Sequence, residues 1–460
     1  MITITIPNNN ISERKYVLGI IFDEFLGLEC EIKVQVKKTG DDWKIELENG
    51  NKLIIEDHFF NKFPNDIEYL KLENIPTKIE YMKNEFTPEK DIPIIYGNIK
   101  LETKNQEQKT IICEADVFAS SFFMLTRWEE YVNKNRDSHN RFSALESLAY
   151  KNGFLDRPIV NEYVNMLKNM LLELDSNLKF KIHNSRLFIS CDVDQPYDCT
   201  VENLTNLIRV GAGDILKRKS IKEFAKRVRL YIFNKFGNYK YDENYTFDWY
   251  MDMCEKAGTK AAFYFIPTSI EKQNGCYELQ DKKIQNLIKY IDSRGHEIGV
   301  HGSYQTYQDR DKAKLQKNML DNILKSLGLS QKVVGNRQHY LRWDSSITPM
   351  VLEYAGFEYD TTGSYANRAG FRQGICYEFS MFDILNRKKL AIKQRPLIVM
   401  ECTIIDNIYM GLGYSEEALQ VMQNLKQKCF KYNGNFSLLW HNSHFKTEKD
   451  KKMFEEIVNA

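Results

Sequence analysis

The pattern of hydrophobic and polar positions changes rhythm near residue 185. Before that point short alternating runs dominate. CEIKVQVKK alternates strictly from Cys30, and WKIEL and KLIIE flank Asn49-Gly50, which predicts a hairpin closed by a tight turn. VFASSFFMLTRWEEYV and NEYVNMLKNMLLEL then carry helical spacing, so residues 1–184 read as an α+β domain. From 185 to 460 the chain alternates strand with helix, as a parallel sheet or barrel requires.

LFISCD is the first of these strands. DWYMDMCEKAG predicts a helix stopped by glycine before the strand KAAFYFIP. Ile284, Leu287, Ile288 and Ile291 share a helical face ahead of the strand HEIGVH. Leu315, Met319, Ile323 and Leu327 do the same ahead of KVVGNR. FEYDTT, LIVMECT and FSLLWH complete about seven strands, with SEEALQVMQNLKQKCFKY as the helix before the last. The expected fold class is therefore α/β, an incomplete (β/α)7-type barrel preceded by a smaller α+β domain.

Residues 200–245 interrupt the rhythm. ILKRKSIKEFAKRVRLYIFNKF is helical and strongly basic, which fits either a solvated helix covering one end of the barrel or a peripheral contact with an acidic glycan, lipid headgroups or a partner. Gly211-Ala-Gly213 lacks the preceding strand and the lysine of a phosphate loop. With 43 % hydrophobic and 28 % charged residues the chain is globular, and a net charge of +1 provides no global field toward nucleic acid. No stretch is apolar for long enough to span a bilayer, and MITITIPNNNISERKYVLGIIF lacks the features of a secretory leader. The nine cysteines are scattered without a C-x-x-C pair, so reduced thiols in a cytoplasmic protein are expected.

Titratable residues recur where the predicted strands end. Asp192 and Asp194 close the first, His301 the third, Arg337 and His339 the fourth, Asp360 the fifth and His441 the last. In a barrel those ends converge on one mouth. Alone, each has a plainer explanation as a turn residue, a helix cap or a hydrogen-bonded structural histidine.

Their order resembles the polysaccharide deacetylase family, the NodB-like carbohydrate esterases of bacteria, over residues 186–460. The motifs that carry the resemblance are SCDVDQP, GHEIGVHGSYQTY, GNRQHYLRW and FSLLWHNSHF. It implies a hydrolase that removes acetyl groups from an N-acetylated sugar or polysaccharide. Asp192 is implied as general base, Asp194 and His301 as ligands of a divalent metal such as zinc, Arg337 as the residue orienting the base, and His441 as general acid. Where the family places a second metal histidine, four residues after the first, this chain has Gln305, a poor zinc ligand. Ser303, Thr306, His339 or water would then complete the shell. Trp343 fits sugar stacking or packing equally. His296 reads as structural and His444 as surface. The implied partner is an acetylated glycan, or a nucleotide- or lipid-linked precursor. FASSFFMLTRWEEY and GFLDRPIVNEY further resemble a branch of the family with an N-terminal domain of unknown function. The alternatives are a non-catalytic glycan-binding protein that lost the metal, and an O-acetyl esterase using the same groups.

Overall fold

The computed structural model describes residues 2–36, 41–105, 107–269, 271 and 273–459. Lys37 and Lys38, at the end of the alternating stretch from Cys30, lie outside the described residues. In the first half a six-stranded mixed sheet runs in the order Cys30–Val34, Ile2–Ile6, Trp43–Glu46, Lys52–Ile55, Lys109–Ala115, Gly97–Asn105. The expected hairpin is present. Trp43–Glu46 pairs antiparallel with Lys52–Ile55, and Gly50 takes the left-handed conformation (φ 84°) that glycine adopts without steric cost. The helices Ile11–Leu18, Val117–Thr126 and Ile159–Leu174 contribute buried side chains to one aromatic-rich core.

The second sheet has nine strands and curls into an open half-barrel. Its order is Phe379–Asp383, Lys388–Gln394, Tyr359–Asp360, Gly335–Gln338, Glu297–Gly302, Ala261–Phe265, Arg186–Val193, Asn435–Leu439, Val399–Met400. Only the first pairing is antiparallel. Helices cover the outer face, so central strands such as Ala261–Phe265 are buried at every position. The sequence reading of seven strands omitted the antiparallel pair Phe379–Asp383 and Lys388–Gln394, although the second alternates exposed lysines with buried Leu390 and Ile392. The helix Arg310–Ser326 also sits one residue round from its expected orientation. Ala313, Gln316, Leu320 and Leu324 are its buried residues, and Leu315 is 59 % exposed. Two apolar stripes run side by side on that helix, and the stripe that wins includes Gln316, whose amide bonds Ser303.

The two halves are joined by more than the chain. Tyr365, Ile375, Tyr377, Phe379, Phe382 and Ile384 belong to the first core. Val160 N donates to Gly374 O (2.8 Å), Phe371 N to Leu155 O (2.8 Å) and Cys376 N to Asn161 Oδ1 (3.0 Å). Arg127, Glu129 and Glu130, within FASSFFMLTRWEEY, form a buried ion-pair network with Arg372 and Tyr365. That motif and GFLDRPIVNEY therefore seat the half-barrel on the first half.

Candidate active site

Parallel strands end on one side of a sheet, and here the ends ring an open cavity of about 640 Å³. Asp192 and Asp194 reach it from the end of Arg186–Val193, His301 from Glu297–Gly302, His339 from the turn after Gly335–Gln338, and His441 from the end of Asn435–Leu439. The His339–Leu341 turn is strained. Tyr340 and Leu341 both hold left-handed φ, at 62° and 54°, an arrangement that non-glycine residues adopt only when surrounding structure imposes it. A second cavity of about 450 Å³ lies at the opposite strand ends, beside His296 and Glu297. His296 is spent there on structure, its Nδ1 accepting from Ala261 N at 2.9 Å and its Nε2 lying 3.2 Å from Glu255.

Within the mouth, Asp194 Oδ1 lies 3.3 Å from His301 Nε2 and 3.6 Å from His339 Nε2. His301 Nδ1 meets the Arg337 carbonyl at 2.9 Å, which places a proton on Nδ1 and turns Nε2 toward the carboxylate. One ligand atom from each of Asp194, His301 and His339 lies within 4.8 Å of the others. Asp194 Oδ1 and His339 Nδ1 are buried without a hydrogen-bond partner. Two imidazole nitrogens and a carboxylate, one of its oxygens left orphaned, fit a zinc-type ion. Burial works against the Asp194 charge, but His339 and His301 outweigh it and hold the carboxyl well below its usual range.

Asp192 is buried beside this set, its Oδ2 3.6 Å from His301 Nε2 and its Oδ1 3.7 Å from Arg337 Nη1. Arg337 is anchored by Ser190 Oγ (2.9 Å) and Thr361 Oγ1 (3.3 Å), while its Nη1 and Asp192 Oδ1 have no hydrogen-bond partner. Across the mouth, His441 Nε2 is 3.8 Å from Asp194 Oδ2. Its Nδ1 lies 2.6 Å from Glu401 Oε1, which also accepts from the His441 backbone N–H at 2.8 Å. Burial disfavours the imidazolium, yet the Glu401 charge and the neighbouring Cys402 raise the His441 pKa well above its usual value.

The other candidates fall elsewhere. The Gln305 side-chain oxygen faces Gln308 (3.3 Å) and Arg342 (3.5 Å), and the residue does not line the cavity. Ser303 Oγ accepts from Gln316, and Thr306 Oγ1 meets Gln338 Oε1 at 3.0 Å. Asp360 is fully buried, its Oδ1 accepting from Asn336 and Thr362. Trp343 is 5 % exposed with the Arg372 guanidinium over its ring, so it packs and does not face the mouth. Sequence reasoning missed Glu401, although LIVMECT ends a strand in a carboxylate, the same signal that singled out its neighbours. It also missed Arg141, which comes from the first half to line the cavity and donates to Tyr340 O at 2.9 Å. His444, expected at the surface, has its Nδ1 3.1 Å from Glu401.

One expectation is reversed at the rim. Cys199 and Cys276, which both line the cavity, form a disulfide with Cα atoms 6.1 Å apart, so only seven of the nine cysteines are free thiols. A separation of 77 residues hides from the sequence what the fold brings together.

Residues 2–176 match a protein family described as a family of unknown function (DUF7033). No curated protein matches the chain. Among solved structures the chain is similar to a putative polysaccharide deacetylase from Mycobacterium smegmatis, with 12 % identity over 60 % of this chain and 83 % of that one at a TM-score of 0.38. It is similar to a probable polysaccharide deacetylase from Pseudomonas aeruginosa PAO1, with 15 % identity, coverage of 60 % and 84 %, and a TM-score of 0.35. It also resembles Puue allantoinase, with 11 % identity, coverage of 60 % and 83 %, and a TM-score of 0.33. These are distant likenesses, and the chemistry of the site rests on its own geometry.

Proposed function

We propose that the chain is a metal-assisted hydrolase that removes acetyl groups from an N-acetylated sugar or glycan. The observation that carries the reading is the meeting, around one open cavity, of an Asp-His-His ligand set, a carboxylate beside an arginine, and an imidazole backed by a buried glutamate. Asp194, His301 and His339 would hold the ion, which when bound supplies Lewis acidity toward water and the acyl oxygen. Asp192 takes the proton of the attacking water, and Arg337, with Nη1 3.7 Å from its Oδ1, aims that carboxylate. His441 stands across the mouth from Asp192 and donates from Nε2 to the departing amine nitrogen, with Glu401 holding Nδ1 protonated. The products are acetate and the free amine.

His339 as a candidate third ligand supports catalysis over a non-catalytic protein, since Gln305 need not serve. An O-acetyl ester would meet the same groups, so amide and ester substrates are tested side by side. The rim disulfide favours an oxidising compartment over the cytoplasm, which accords with a glycan outside the cell. The test is acetate release from N-acetylated oligosaccharides by zinc-loaded protein. Asp192→Asn and His441→Ala are each expected to lower turnover by about 10²–10⁴-fold with the fold intact. Unchanged turnover in both variants would refute the assignment.

A further inference from the structure

We propose that a second divalent metal ion binds beside the first, at Glu401, Cys402, His441 and His444. One ligand atom from each of these residues lies within 4.8 Å of the others. Glu401 Oε1 is 2.6 Å from His441 Nδ1 and 3.1 Å from His444 Nδ1. Cys402 Sγ is 3.9 Å from His441 Nδ1, 3.4 Å from His444 Nδ1 and 3.7 Å from Glu401 Oε1.

A hydrogen-bond relay from Glu401 through His441 accounts for only part of this cluster. In a relay, each imidazole uses one nitrogen toward its acid and the other toward its target. Here the thiol and the carboxylate both approach the same nitrogen, Nδ1, on each ring. One Nδ1 carries a single proton or a single lone pair and can satisfy only one of them. A cation at the centre satisfies all four groups. Tetrahedral zinc with thiolate, imidazole and carboxylate ligands sets its ligand atoms about 3.3–3.6 Å apart, so four of the five contacts are already close and the 2.6 Å one opens by about 0.7 Å. A second, independent observation points the same way. Glu401 is 1 % exposed, and its other oxygen, Oε2, has no hydrogen-bond partner. Cys402, His441 and His444 line the open cavity, which gives an ion its path in.

The site is distinct from the Asp194, His301 and His339 set, and binding there does not depend on the reading of that set. The two meet only through His441, which turns Nδ1 to one and Nε2 to the other. An ion on Nδ1 displaces the proton there, so the imidazolium donor and the sulfur-bound ion are mutually exclusive states of one side chain.

Cobalt(II) titrated into the chelator-stripped full-length protein tests this, because thiolate-to-cobalt charge transfer absorbs in the near ultraviolet and the first ligand set contains no sulfur. Two equivalents and a sulfur band are expected. Cys402→Ser and Cys402→Ala should each lose the band and one equivalent, and His444→Ala should weaken the same equivalent. Asp194→Asn should lose the other equivalent and keep the band, so failure of the hydrolase's ion and failure of this one are told apart. Absence of a sulfur band at saturating cobalt, or a band that survives in both Cys402 variants, would overturn the proposal.

A separate observation carries a second inference. The insertion folds as two helices, Leu204–Leu216 and Ile221–Lys235, whose inward residues Leu207 and Leu230 share a small core with Val201. Each helix also has a bare apolar stripe on another side. Leu204, Ile208 and Ile215 are 56, 61 and 43 % exposed and fall on one helical face, and Ile221 and Ile232, at 76 and 47 %, do the same on the second helix. Leu216 and Phe236, at the helix ends, are 76 and 84 % exposed. Residues 204–235 carry nine Lys/Arg against Asp214 and Glu223. Exposed apolar stripes on a strongly basic hairpin complement an anionic lipid surface, and we infer that this hairpin docks the protein on a membrane containing such lipid. Co-sedimentation of the full-length protein with vesicles containing phosphatidylserine should exceed that with phosphatidylcholine vesicles. Binding should fall with salt, and it should be lost in Ile208→Ser/Ile221→Ser. No preference for the anionic vesicles, or a self-associated dimer broken by the same double variant, would overturn it.

Discussion

Replacing Glu130 with glutamine tests whether the first half and the half-barrel form one cooperative structure. The Glu130 side chain is 1 % exposed and accepts from Arg372 Nε (3.0 Å) and Nη2 (2.5 Å) and from Arg127 Nε (2.9 Å). Arg127 and Arg372 are themselves 0 and 3 % exposed. Burial raises the Glu130 pKa, but the two guanidiniums outweigh it and hold the carboxyl below its usual value, so it is ionised at neutral pH. Glutamine keeps the shape and one acceptor oxygen but removes the charge. Arg127 retains Glu129 at 2.7 Å, whereas Arg372, among the contacts described, keeps the carbonyl of Ser364 at 2.7 Å and the Trp343 and Tyr365 rings but no second carboxylate. Leaving one member of a buried pair uncompensated costs about 3–5 kcal/mol. With a urea dependence of about 2–3 kcal/mol/M the midpoint falls by about 1–2 M. Tryptophan fluorescence suits the assay, because Trp343 lies under the Arg372 guanidinium, 5.0 Å from ring centroid to charge, and Trp128 follows Arg127 in the chain. Adding Arg372→Met removes the stranded charge, so the double variant should lose less than the sum of the single variants. A loss under about 1 kcal/mol for Glu130→Gln, or additive single and double variants, would refute the role of this buried network in joining the two halves.

Three further outcomes are expected. His339→Ala should weaken zinc binding at the Asp194 set by at least about tenfold while Gln305→Ala leaves it unchanged, as read by calorimetric titration; the reverse order would return Gln305 to the ligand shell. Glu255 is held down to about 2 by hydrogen bonds from Arg294 and Lys260. A folded-state pKa below the ordinary 4.5 means stability that is whole above 4.5 and lost as pH falls toward 2. Glu255→Gln should therefore cost about 1 kcal/mol at pH 7, after solvent screening, and next to nothing near pH 2, and a pH-independent difference between urea titrations of variant and wild type would count against the pairing. Alkylation under denaturing, non-reducing conditions should modify seven cysteines, with Cys199 and Cys276 protected until reductant is added; modification of all nine would show those two reduced.

Most of the elements and the order of the chemistry were legible in the chain, the antiparallel pair Phe379–Asp383 and Lys388–Gln394 excepted. Local periodicity specifies a helix face such as Ile284, Leu287, Ile288 and Ile291, all buried as expected, because a 3.6-residue repeat acts within a few turns. Turn chemistry specified the Asn49-Gly50 hairpin for the same reason. The recurrence of Asp192, Asp194, His301, His339 and His441 at strand ends was legible because parallel strands share one end. What lay outside the reach of sequence is everything set by which strand neighbours which. His339 lies beside Asp194 where the strand Gly335–Gln338 ends and Tyr340 and Leu341 turn left-handed, and no pattern of side chains announces that turn. Glu401 meets His441 because Val399–Met400 pairs with Asn435–Leu439, and Cys199 meets Cys276 across 77 residues. Periodicity is a local property of the chain, whereas a site is assembled by long-range pairings whose geometry only the packed sheet fixes.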